Sequence, residues 1–104
     1  MEGGKMNLID YSRIGVNTLY ESVVLNGIKN VELDNIIDQL SEIYNAGDAG
    51  MFDRFPQFYA KIKQILNICV FAKCKYMETE NDLAVIVEEI SNLKDLAHHF
   101  FCEN

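Results

Sequence analysis

From Leu33 to Tyr44 the apolar residues Leu33, Ile36, Ile37, Leu40, Ile43 and Tyr44 return every three or four positions, with acids and amides between them. That interval matches the 3.6-residue turn of an α-helix and not the two-residue alternation of a strand. Leu83, Ile86, Val87, Ile90, Leu93, Ala97 and Phe100 repeat the pattern, with Glu88, Glu89, Ser91, Asn92 and Asp95 opposite them. Pro56 is the only proline in 104 residues, which argues against an all-β chain that must turn every ten or so residues. The expectation is an all-α bundle of about four helices, at approximately 8–26, 31–46, 54–77 and 80–101. They form one helical domain, 7–104, behind a disordered N-terminus at 1–6.

The first element is the ambiguous one. As a helix it places Leu8, Ile9, Val16, Leu19, Tyr20, Val23 and Val24 on one face, but Tyr11, Ile14 and Leu25 fall outside it. Asn26-Gly27 between apolar stretches is also a signal for a β-hairpin with a type I′ turn. The helical alternative uses Gly27 as a left-handed residue beyond the helix end, Ile28 as the apolar contact after it and Asn30 as the next N-cap. Farther on, Gly47 closes the second helix, Asp53 is the expected N-cap of the third with Pro56 in its first turn, and Thr79 with Asp82 forms a partial capping box for the fourth.

Charge divides along the same lines. The chain carries a formal charge of -7, yet Arg54 to Met77 is locally +5, between segments of -5 (Val31 to Asp48) and -6 (Glu78 to Glu103). A basic helix between two acidic ones predicts ion pairs between neighbours inside the bundle. It also offers Lys61, Lys63 and Lys75 as a strip for an acidic partner, or for weak nucleic-acid binding, although the overall negative charge opposes the latter.

The stretch Gln64 to Tyr76, QILNICVFAKCKY, holds two of three cysteines in a nearly unbroken apolar run. Phe55, Phe58, Tyr59, Ile62, Ile65, Leu66, Cys69 and Val70 make one core-facing stripe, whereas Ile68 and Phe71 fall off it. A helix apolar nearly all round is either enclosed by its neighbours or presents a second face to another molecule. Ile68 and Phe71 are therefore the expected contact residues for a partner protein or a second copy of the chain.

Catalytic and cofactor chemistry has little support. The sequence has no P-loop, Gly-x-Gly-x-x-Gly, His-Glu-x-x-His or Gly-x-Ser-x-Gly. A metal or thiol centre would draw on Cys69, Cys74, His98 and Cys102, but Cys69 and Cys74 lack zinc-knuckle spacing. No enzyme, metal or cofactor is expected. An odd number of cysteines and the lack of an apolar leader at the N-terminus point to a reducing cytoplasm, and no apolar run is long enough to span a bilayer. The expected function is protein binding by a small acidic helical protein. In size and charge the chain resembles immunity proteins and antitoxins, secretion chaperones and viral inhibitors, which work as adaptors or neutralising partners.

Overall fold

The computed structural model describes residues 7–28, 32–74 and 80–101. These form five α-helices and no strand among the described residues. Helix α1 (Leu8–Tyr20) starts at Asn7, whose side chain accepts from the Asp10 N–H at 2.8 Å. It runs directly into a π-helical turn at Glu21–Leu25, closed by the Asn26 N–H donating to the Glu21 carbonyl. The hairpin alternative is thereby corrected. Ser12, Gly15, Val16, Leu19 and Val23 are buried at helical spacing along this element. Gly27 does adopt a positive φ of 98°, and Ile28 packs against the core beyond it. The Asn-Gly pair thus ends a helix, because a left-handed glycine serves a helix terminus and a hairpin turn equally well.

Helix α2 (Leu33–Ala46) buries Leu33, Ile36, Leu40 and Ile43. Its N-cap is Glu32 rather than Asn30, which lies outside the described residues. Gly47 ends α2 in an extended conformation, so its role is space rather than a left-handed turn. A Cβ built there would stand 2.7–2.8 Å from the ring and hydroxyl of Tyr59.

The segment after Gly47 departs from expectation. Instead of a plain connection capped at Asp53, it forms a short helix, α3 (Ala49–Arg54), in which Asp48 is the N-cap and accepts from the Met51 N–H at 2.9 Å. Asp53 is inside that helix. The chain breaks at Phe55 (φ -131°, ψ 55°) and restarts as α4 (Pro56–Cys74). Proline drives the residue before it out of the helical region, while its own missing N–H is harmless at the first helical position. The expected helix at 54–77 therefore starts two residues late, and Lys75 to Met77 lie outside the described residues, as does Thr79. Helix α5 (Glu80–Phe101) completes the set.

Helices α1, α2, α4 and α5 form a ring of neighbours, α1 against α2, α2 against α4, α4 against α5 and α5 against α1. The bundle measures 47 × 26 × 23 Å. Lys73 near the end of α4 binds Asp34 near the start of α2, and Phe55 just before α4 packs on Phe101 at the end of α5, so α4 is antiparallel to both. The core is the set of inward stripes, with Ile36, Leu40, Phe58, Ile62, Ile65, Cys69, Ile86, Ile90 and Leu93 all fully enclosed. Aromatic rings close one end. Phe55 and Phe58 meet Phe101 at centroid distances of 4.9 Å each, and Tyr59 meets Phe52 at 4.5 Å and Tyr44 at 6.0 Å.

The Tyr59 hydroxyl is buried and makes no hydrogen bond of ordinary geometry among the described residues. Burial pushes its pKa up, the nearby Ser12 hydroxyl opposes that shift and the Asp48 charge adds to it. Replacing Gly47 with Ala should destabilise the fold by about 1–3 kcal/mol in denaturant titrations, because the new methyl collides with a ring held by three aromatic neighbours. Tyr59→Phe keeps the ring and removes only the hydroxyl, so it should cost less than Gly47→Ala. A Gly47→Ala protein as stable as the parent would show that the ring can move aside.

Candidate functional site

Helix α4 has two ordinary flanks and one unusual crest. At about 100° per residue, its core stripe runs through Phe58, Ile62, Ile65, Cys69 and Ala72, all buried. Val70 does not belong to that stripe, contrary to the sequence expectation; it is 46% exposed, and Ala72 closes the stripe instead. Ile68 and Phe71, grouped by sequence as off-stripe residues, separate in the structure. Ile68 is partly buried against the core, while Phe71 is 67% exposed. Nor is α4 enclosed on all sides. Helix α1 packs on α2 and α5.

Its flanks are electrostatic as well as apolar. Lys61 donates to Glu89 of α5 at 2.8 Å, with both side chains about four-fifths buried. Lys73 binds Asp34 of α2 in a solvent-exposed pair. That hydrogen bond, with the Asp34 charge behind it, raises the Lys73 pKa, and the field of Asp38 adds to it. Both contacts are the internal pairing that the alternating charge segments predict. They also change the basic strip. Lys61 is committed to α5, and Lys63, two residues on, stands about 200° away on the exposed side. Lys75 lies outside the described residues.

The candidate metal or thiol centre does not assemble from its described members. Cys69 is fully buried, and burial pushes its thiol up to about 11. Cys74 is exposed at the end of α4. His98 is exposed near the end of α5 and therefore at the opposite end of the antiparallel pair, about 20 Å or more away along the bundle at 1.5 Å per residue. Cys102 is outside the described residues. Among the described residues no three His, Cys, Asp or Glu side chains cluster as metal ligands.

Phe71 lies sixteen residues after Phe55, and Val85 sixteen before Phe101. The contact of the Phe55 and Phe101 rings sets the start of α4 beside the end of α5, so the end of α4 and the start of α5 lie at the same end of the bundle. Phe71 is one turn beyond the partly buried Ile68, and Val85 is one turn before Glu89, the partner of Lys61. Val85 is 43% exposed. Of the five large apolar residues exposed in the described structure, Val70, Phe71 and Val85 thus gather at one end of α4 and α5.

At the other end of the bundle, Asn7, Leu8, Ile9, Asp48, Gly50, Met51 and Arg54 line an open groove of about 470 Å³ between the start of α1 and α3. Its polar side chains are already engaged in local structure: Asn7 and Asp48 cap helices, and the Arg54 guanidinium lies 5.0 Å from the Phe55 ring centroid.

In a Cys102→Ser background, a thiol reagent near neutral pH should modify Cys74 rapidly and Cys69 only as fast as the protein unfolds. Because the folded pKa of Cys69 is raised, its contribution to stability is complete below the ordinary thiol pKa near 9 and is lost as pH rises toward about 11. Equal labelling rates for the two thiols would contradict the burial. A double-mutant cycle on Lys61 and Glu89 should return a coupling of about 0.5–1 kcal/mol, larger and less salt-sensitive than that of the exposed Lys73 and Asp34 pair.

No protein-family model, curated protein or solved structure matches the chain.

Proposed function

We propose that this chain acts by binding another protein, without catalysis, and that the contact surface is the outer end of the α4–α5 pair around Phe71. The observation that carries the proposal is the exposure of Phe71 and its neighbour Val70 near the end of α4, with Val85 exposed near the start of α5, where helices that needed only a core would present polar residues. Single exposed aliphatic side chains are ordinary; an aromatic ring 67% exposed next in sequence to an exposed valine is less so. Aromatic residues of this kind anchor protein interfaces, because they bury a large area at little conformational cost.

Two further observations support this reading over a chemical one. The described thiols and histidine are dispersed between core and opposite ends, and the groove beside α3 holds side chains already used as caps. The free thiols Cys69 and Cys74 suit a reducing cytoplasm, where we place the protein. No described helix is long and apolar enough to cross a membrane.

The test compares the parent with Phe71→Asp. Circular dichroism should show unchanged helix content, because the side chain is mostly outside the core. Binding to the host-cell partner, identified by crosslinking and followed by hydrogen exchange, should weaken at least about tenfold, with protection in the parent complex confined to 66–74 and 81–92. Unfolding of the variant would return Phe71 to the core, and undiminished binding would remove this surface from function.

A further inference from the structure

We infer that the seam between α1 and α2 holds a site for a primary carboxamide, either a free small amide or an asparagine or glutamine side chain of another protein, with Thr18 and Ser22 on one side of it and Asn35 and Gln39 on the other. This goes beyond the protein-binding proposal above and does not depend on it, since in the ring of helices the α1–α2 seam is the one opposite the α4–α5 pair.

The space comes from the packing of two helices. Thr18, Leu19, Ser22, Asn35, Ile36 and Gln39 line a pocket of about 100 Å³. Leu19 and Ile36 belong to the core and give it a buried, apolar floor, while Thr18 and Asn35 are exposed at its rim. Thr18 and Ser22 are one turn apart on the α1 side, and Asn35 and Gln39 are one turn apart on the α2 side. Four polar groups thus surround one floor. The Gln39 side chain crosses the seam, its amide nitrogen 3.5 Å from where a Cβ on Gly15 would stand. Ser22 sits in the π-helical turn Glu21–Leu25, a rare conformation that recurs at functional sites.

The chemistry comes from four uncharged side chains. Ser22 and Gln39 are half-buried, yet none of the four side chains has a hydrogen-bond partner among the described residues. No charged residue is among those that line the pocket, so an ion entering it would give up hydration with no opposite charge to receive it. A neutral group is favoured. Each amide presents a carbonyl and two N–H donors, and each hydroxyl both donates and accepts. A primary carboxamide matches that set: it pairs edge to edge with the Asn35 or Gln39 amide through two N–H···O bonds and keeps a donor and a carbonyl lone pair for the hydroxyls. The pocket has the volume of about three water molecules, which is the scale of an amide head and too small for a nucleotide or a sugar ring.

The probe is acetamide, titrated into the isotope-labelled full chain. Amide NMR shifts should saturate in the millimolar range and centre on Thr18, Ser22, Asn35 and Gln39. Acetate has the same shape with a charge, and N,N-dimethylacetamide keeps the carbonyl without the donors, so each should bind at least about tenfold more weakly. Gln39→Met keeps the length of the side chain, and Asn35→Ala changes only an exposed position; each should weaken acetamide at least about threefold with helix content unchanged by circular dichroism. If Gln39→Met disturbs the seam, Asn35→Ala alone decides. A short peptide with one central glutamine separates the two sources: tighter binding than acetamide assigns the site to another protein's side chain, and weaker binding assigns it to a free amide. Acetate, dimethylacetamide or glycerol binding as well as acetamide would overturn the inference, as would the lack of a saturable shift at this seam or an affinity that Asn35→Ala leaves untouched.

Discussion

Phe58, enclosed where α4 meets the end of α5, is the contact on which the arrangement of the bundle turns. Its ring touches Tyr59 and Phe101, and the Phe55 ring touches Phe101 and Phe100 beside it. Truncating a buried phenylalanine typically removes about 3–5 kcal/mol, a large share of the margin by which a domain of this size is folded. The aromatic end does more than add burial. It pins the start of α4 to the end of α5 and so fixes which ends of the two antiparallel helices meet.

Pro56 sets up that contact. The break at Phe55 separates α3 from α4 and lets the aromatic rings from 52 to 59 point in different directions: Phe52 and Tyr59 toward Tyr44, Phe55 and Phe58 toward the end of α5. Gly47 permits the first of those groupings, because only a residue without Cβ leaves room for the Tyr59 ring. The short helix α3 is thus the means by which one turn of chain covers the bundle end. Its two signals, Asp48 three residues before Met51 and a proline after Phe55, were both in the sequence, but the glycines around Asp48 made the segment resemble a plain connection.

The electrostatic pattern was legible early because it is a property of whole segments. A +5 stretch between stretches of -5 and -6 needs only antiparallel neighbours to form Lys61 with Glu89 and Lys73 with Asp34. The individual fates of the lysines were not legible. Whether Lys61 or Lys63 faces a neighbour depends on the rotation of α4 about its axis, which the core stripe decides by packing Ile62 and Ile65 inward. The same rotation exposes Val70 and leaves Ile68 half covered, and a wheel drawn from α4 alone misplaced both.

By itself the sequence determined the helical class, the amphipathic faces of α2 and α5, the left-handed Gly27 and the alternation of charge, since each follows from local spacing or from the conformational range of one residue type. Only the tertiary structure decided that residues 8–25 are helix rather than hairpin, because burial at helical spacing outweighs a local turn signal that both conformations share. It also dispersed Cys69, Cys74 and His98, which sequence could bring together only on paper. And it exposed Val70 and Phe71 near the end of α4 while drawing Ile68 partly into the core, a division set by the rotation of α4 against its neighbours and not written in that helix alone.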